Sequence, residues 1–274
     1  VFSPWYRWSG RRDPHEHVCI NVATYGPGGR FTMTDRGRPA LCQSTDTFTV
    51  GPSSLRWDGT RLTIDIDEIG APPFVSRVRG RIILTPAAIT SVELALTPDD
   101  AHLWRPFAPV AGIEVALEAP GWQWSGHGYF DANFGTRALE ADFDTWTWGR
   151  YPTDTGATCF YDAQRRDGSE LNAAVAFDHE GTAREISAPP KVRFRRSLWT
   201  VARETRADPG YRPHQVRPML DAPFYTRAMV RTSLDGRETV GVHEALDLRR
   251  FRWPLLMPMI ALRVPRRRGW KFAD

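Results

Sequence analysis

The sequence predicts an all-β protein, and three observations lead there. Apolar residues recur with a period of two, turn signals separate short runs at fairly regular spacing, and no long helical period competes. In "RLTIDIDEI", Leu62, Ile64 and Ile66 point one way and Thr63, Asp65 and Asp67 the other, the pattern of a half-buried strand. "TSVELALTP" and "GIEVALEAP" repeat it. Between such runs stand "GPGG", "DRGRP", "WDGT", "RRDG" and "LDGRE", whose Gly, Asp and Pro residues make tight turns. "TPAAI" is at most one turn of helix.

Size and composition narrow the class. A chain of 274 residues can bury one large β core or two smaller ones. "LEAPGWQW" offers a break near residue 119, giving domains 1–118 and 119–274, each long enough for a small barrel or curved sheet. Eleven Trp suit a site for a large apolar molecule. The net charge of +4 is too small for a nucleic-acid protein, and no basic stripe with stacking aromatics on a recognised fold adds to it. Cys19, Cys42 and Cys159 are widely spaced and form no C-x-x-C pair, which fits a reducing compartment and neither a disulfide framework nor a zinc site. There is no signal-peptide pattern, and the apolar run "PLLMPMIAL" is too short to span a bilayer.

Four stretches carry candidate chemistry. In "HGYFDANFGT" an extended backbone puts His127, Tyr129, Asp131 and Asn133 on one face, and Trp146 and Trp148 share a face of "FDTWTWGRY". Exposed polar residues with cross-strand packing explain this as well as a reactive cleft does. In "DDAHLWRPFAP", His102 and Trp104 share a face, a pairing that structure alone would also produce. His15 and His17 in "DPHEHVCI" have strand spacing for a metal but no third ligand, so a solvated loop is the better reading. "RFRWPLLMPMIALRVPRRRGWK" reads as a last strand with a solvated tail. Alternatively it is an interfacial segment, with its Arg and Lys at anionic headgroups and Trp270 at the acyl boundary.

"VFSPWYRW", "DPHEHVCINVATYG", "FTMTDRGR", "HLWRPFAP", "GHGYFDANFGTRALEADFDTWTWGRY", "APFYTRAMVRTSLDGRETVGVHEALDLRRF" and "RVPRR", in that order from Val1 almost to the C-terminus, resemble the carotenoid 1,2-hydratases of phototrophic bacteria. Wider relatives are the AttH-like proteins, tocopherol cyclases and some fungal pericyclases. The resemblance implies two lipocalin-like (calycin-type) antiparallel β domains packed side by side. The first would be N-terminally truncated, since family members carry a further segment before "VFSP".

It also implies the addition of water across the terminal C1,C2 double bond of an acyclic carotenoid such as neurosporene or lycopene, without metal or redox cofactor. The expected setting is cytoplasmic, peripheral to the inner or intracytoplasmic membrane. Family functional positions fall on His102 with Trp104 and on Tyr129 with Asp131. The resemblance makes Asp131 the acid, Trp104 and Tyr129 the π-faces for a cation, and His102 the group that orients Asp131 or holds water. Trp146, Trp148, His127 and Asn133 are expected to bind substrate. Asp142 and Asp144 lie outside the Tyr-x-Asp pair and are expected to matter far less. A lipocalin-like carrier and a cyclase or pericyclase are the alternatives, separable by product mass.

Overall fold

A computed structural model describes residues 3–73 and 75–267 of the chain. The fold is all-β and antiparallel, as expected, and its contacts divide the chain into two compact units. The first comprises 1–86, 111–128 and 254–274; the second comprises 87–110 and 129–253. Each unit draws chain from both sides of residue 119.

The first unit begins with helix α1 (Pro4–Ser9), which has the Ser3 hydroxyl as its N-cap and a left-handed Gly10 at its end. The strands of its first part are β1 (Asn21–Ala23), β2 (Phe31–Met33), β3 (Leu41–Gln43), β4 (Thr47–Val50), β5 (Ser53–Trp57), β6 (Leu62–Ile69) and β7 (Arg77–Pro86). A short β8 (Leu94–Ala95) precedes β9 (His102–Ala119) and β10 (Trp122–Gly135). From β3 to β7 the strands pair in sequence; β7 then pairs with residues 111–119 of β9, and β10 follows at the edge. Inside lie Ile20, Val22, Val50, Ile66, Val78, Val115 and Leu117. The alternation read in β6 continues one step further than its apolar residues. Glu68 takes the next inward position, where Arg36 donates to it at 3.0 and 2.8 Å and Ser53 at 2.9 Å, while Ile69 is exposed. "TSVELALTP", expected to be a strand, keeps only the two residues of β8.

The second unit contains the single-turn helix α2 (Leu139–Asp142), β11 (Phe143–Thr153), β12 (Gly156–Arg165), β13 (Glu170–Asp178) and β14 (Ala183–Glu185). It continues with β15 (Lys191–Phe194), β16 (Arg203–Arg206), β17 (His214–Asp221), β18 (Tyr225–Leu234) and β19 (Arg237–Asp247). Seven of these form one sheet in the order β14-β13-β12-β11-β19-β18-β17, and β15 pairs with β16. "LDGRE" makes the β18–β19 hairpin, with Asp235 and Gly236 at φ 52° and 75°, the left-handed conformation of a tight two-residue turn. Tyr151, Phe160, Ala174 and Leu234 anchor this unit's core. In neither large sheet are the end strands paired with each other among the described residues, so both sheets are open.

The C-terminal apolar run corrects its sequence reading. It is a helix, α3 (Leu256–Arg263), rather than a last strand, and no helix among the described residues is long and apolar enough to cross a membrane. The segment after α3 is held, not solvated. Val264 is buried, its carbonyl accepts the Trp5 indole N–H at 2.7 Å, and Arg266 pairs with Asp35. Trp270, part of the expected interfacial contact, lies outside the described residues.

Candidate active site

Within the second unit, three side chains singled out by sequence converge. Trp104 comes from the inward face of β9, where residues 102, 104, 106 and 108 are the buried set. Tyr129 and Asp131 come from one face of β10. The Trp104 indole N–H donates to Asp131 Oδ2 at 2.8 Å, with a longer contact of 3.3 Å to the Tyr129 hydroxyl. The Tyr129 hydroxyl donates to the same Oδ2 at 2.8 Å. Asp131 Oδ1 has no hydrogen-bond partner among the described residues.

This asymmetry fixes where a proton can sit. An oxygen that already receives an N–H and an O–H must act as acceptor, so a neutral Asp131 carries its proton on Oδ1. Although Asp131 as a residue is only half-buried, desolvation pushes its carboxyl above the ordinary carboxylate range. The Trp104 and Tyr129 hydrogen bonds pull the other way, the charge of Glu244 adds to the rise, and Arg227 opposes it. Desolvation prevails. Burial first, then the Asp131 charge, raises the Tyr129 phenol well above its usual value, so Tyr129 remains a donor.

Aromatic rings wall this carboxyl. The Tyr129 and Trp148 rings lie 5.1 Å apart, Trp104 and Tyr161 5.7 Å, and Trp146 and Tyr161 5.7 Å. Trp148 is buried, sits opposite Tyr161 on β12 and Glu244 on β19, and its indole N–H reaches no acceptor among the described residues. Glu244 in turn accepts from Arg227 Nε at 2.7 Å. Trp104 meets Asp131 with the N–H edge of its ring. Tyr161, Glu244 and Arg227 were not legible as site residues. β12 is buried along nearly its whole length, so its Tyr reads like any core aromatic, and the Arg227–Glu244 pair reads like any cross-strand ion pair.

His102 has a different partner from the one expected. Its Nε2 lies 2.8 Å from Asp142 Oδ2, and Arg137 grips the same carboxylate with bonds of 2.6 and 2.8 Å while also reaching Asp99 at 2.8 Å. Arg137, helped by His102, holds the Asp142 carboxyl below its ordinary range. An ionised Asp142 only accepts, so His102 Nε2 carries a hydrogen and donates. His102 therefore anchors to Asp142, not to Asp131. Asp144 pairs with Arg166 at 3.0 Å. His127 and Asn133, expected beside the carboxyl, are both exposed. His15 bonds Asp13 at 2.9 Å, and among the described residues no cluster of three His, Cys, Asp or Glu is placed to hold a metal.

A groove of about 800 Å³ lies elsewhere, in the first unit, lined among others by Asp65, Asp67, Arg79, Arg81 and Glu118. Its lining mixes these charges with Ile66, Leu117 and Trp122, and it contains none of the candidate site residues singled out by sequence.

Comparison with known proteins agrees with the resemblance. The family model described as carotenoid hydratase CrtC matches residues 1–273. The acyclic carotenoid 1,2-hydratase of Cereibacter sphaeroides is 66% identical over 273 residues, covering 100% of this chain and 98% of that protein. That of Rhodobacter capsulatus is 60% identical over 275 residues, with the same coverages. The acyclic carotenoid 1,2-hydratase of Thiocapsa roseopersicina is 45% identical over 97% of this chain and 67% of its own length.

Proposed function

The chain belongs to the carotenoid hydratase CrtC family, and from that premise we propose that it hydrates the terminal C1,C2 double bond of an acyclic carotenoid with Asp131 as the proton donor. The activity is that of a hydro-lyase acting in carotenoid biosynthesis. The observation that carries the mechanism is the pair of hydrogen bonds that Trp104 and Tyr129 direct onto Asp131 Oδ2. They fix the carboxyl and leave Oδ1 to hold and release its proton.

An alkene is a very weak base, so its proton must come from an acid, and desolvation favours the protonated form of Asp131 by raising its carboxyl above the ordinary carboxylate range. Oδ1–H transfers to C2, and the C1,C2 π-electrons form the new C2–H bond. C1 becomes a tertiary cation. The Tyr129 and Trp148 rings stabilise a neighbouring cation by about 0.5–2 kcal/mol each. A water oxygen then bonds to C1, and its surplus proton returns to the Asp131 carboxylate. Asp131 ends as it began, and the net change is one water added. His102, through Asp142 and Arg137, positions the start of β9 from which Trp104 projects; it is a positioning residue. Trp146 supplies a further aromatic wall, while the exposed His127 and Asn133 would meet only the part of the substrate outside the cluster.

Acyclic carotenoids dissolve in bilayers rather than in water. On this reading the chain works at the surface of the membrane that holds its substrate. Incubation with lycopene in vesicles, followed by mass spectrometry, tests the reading. A product heavier by one water is expected. Unchanged lycopene bound to the protein would instead mark a carrier, and a new product of unchanged mass a cyclase.

A further inference from the structure

The first unit carries an apolar surface that its core does not use. On α3 and its cap, Leu255 is 72% exposed, Met259 37% and Leu262 73%. Their spacing of four and then three residues puts them on one side of the helix, while Leu256 and Val264 face inward and are buried. Helix α1 packs beside α3, tied to it by the hydrogen bond from Trp5 to the Val264 carbonyl. The same helix turns out Trp8, 53% exposed, with its ring edge-on to Trp5 at 5.5 Å. Four large apolar side chains in water on two short, adjoining helices are costly unless something covers them.

The charge around them has one sign. Among the described residues, 254–267 contain Arg263, Arg266 and Arg267 and no Asp or Glu, and 3–12 contain Arg7, Arg11 and Arg12 and again no acid. The acids beyond α1 are already answered, Asp13 and Glu16 by Arg38 and Asp35 by Arg266. Arg263 and Arg267 are exposed at the end of α3. Leu and Met for the acyl boundary, a Trp for the headgroup level and a cationic surround are the parts of an interfacial anchor.

We propose that the α1–α3 face, formed by Trp8, Leu255, Met259 and Leu262, is the surface by which the protein docks on a bilayer bearing anionic headgroups. This rests on the hydratase reading only for its purpose, which is delivery of a bilayer-dissolved substrate. The binding itself is independent of that reading. It also moves the contact from the C-terminal basic run alone to a folded element, whose position is fixed by the Trp5–Val264 hydrogen bond and the Asp35–Arg266 pair.

The test compares the full chain with a Leu255→Ser/Met259→Ser/Leu262→Ser variant by flotation with phosphatidylglycerol-containing and pure phosphatidylcholine vesicles. The unmodified protein should float with the anionic vesicles and less so as salt rises. The triple variant should bind at least about tenfold more weakly. Its hydration of lycopene in vesicles should fall in proportion, while hydration of detergent-dispersed lycopene stays unchanged. Equal flotation of the two proteins would overturn the proposal. So would a failure of the unmodified protein to float, or a loss of self-association in the variant without loss of flotation. Absence of hydration in detergent by both proteins would instead count against the hydratase reading and leave the flotation result standing. If the triple variant does not fold, brominated lipid provides the second measurement: it should quench fluorescence of the unmodified protein more than that of Trp8→Phe, and equal quenching would overturn the proposal.

Discussion

The two oxygens of Asp131 have different work. Oδ2 is occupied by Trp104 and Tyr129, which on the proposed mechanism leaves Oδ1 to carry the acid proton. On the proposed mechanism the protonated form is the active one, so activity should be present below the Asp131 pKa and be lost as pH rises through it. That loss should centre above the ordinary carboxylate range, because desolvation has raised the group. The Trp104 hydrogen bond favours the charged form and works against this rise. Trp104→Phe should therefore shift the alkaline fall in hydration rate to higher pH, besides lowering the maximum. A pH–rate profile of both proteins checks it, and a fall that stays in place or moves to lower pH would count against the assignment. At this scale two-residue spacing on a strand put each of the Tyr-x-Asp and His-x-Trp pairs on a shared face, while the resemblance singled them out as functional positions. The Asp142 partner of His102 was not, since it stands forty residues along the chain and only tertiary folding brings it to the imidazole.

Elements supply the rigidity these groups need. Gly135, at the end of β10, lies over the His102 ring: a β-carbon there would come within 2.8 Å of Nδ1, 3.2 Å of Cε1 and 3.5 Å of the Ala101 carbonyl. The ring cannot swing aside cheaply, being buried, anchored to Asp142 and edge-on to Phe143 at 5.2 Å. Gly135→Ala should destabilise the protein by about 1–3 kcal/mol, the usual cost of forcing extra volume into a packed site. Urea unfolding measures this directly, and a stability within error of the unmodified protein would mean the ring moves more freely than its bonds suggest. Period two identified the long strands well. It failed for residues 90–98, where alternation persists but only Leu94 and Ala95 find a partner strand, and for α3, whose eight residues are too few to establish a helical period. Glu68 escaped it for another reason: hydrophobicity patterns cannot see that an inward charge will meet Arg36.

For the whole molecule, antiparallel β class followed from the residues alone, and the hydratase function from a resemblance that ran the length of the chain. The division into units did not. β9 and β10 span 18 and 14 residues, far longer than the usual five or six, and each contributes one stretch to either unit, so no local composition shift marks where a unit begins. A boundary at residue 118 remains a proposal for where folding domains divide. The Trp content pointed only to a large apolar ligand, and the acyclic carotenoid came from the resemblance; the structure sets Trp104 and Tyr129 on Asp131 and packs Trp148 against Tyr129 and Tyr161 against Trp104.

That acid is the centre of the mechanism, and Asp131→Asn tests it most directly. The amide retains the size of the carboxyl and a carbonyl oxygen to accept from Trp104 and Tyr129, but it has no acidic proton to give. Hydrated product per enzyme should be measured with lycopene, in a variant whose circular dichroism matches the unmodified protein. Turnover should drop by about 10²–10⁴, the contribution of a general acid, or below detection, with carotenoid binding largely retained. Unimpaired hydration by a folded Asp131→Asn protein would contradict the mechanism and move the search for the proton donor to Tyr129 or His102.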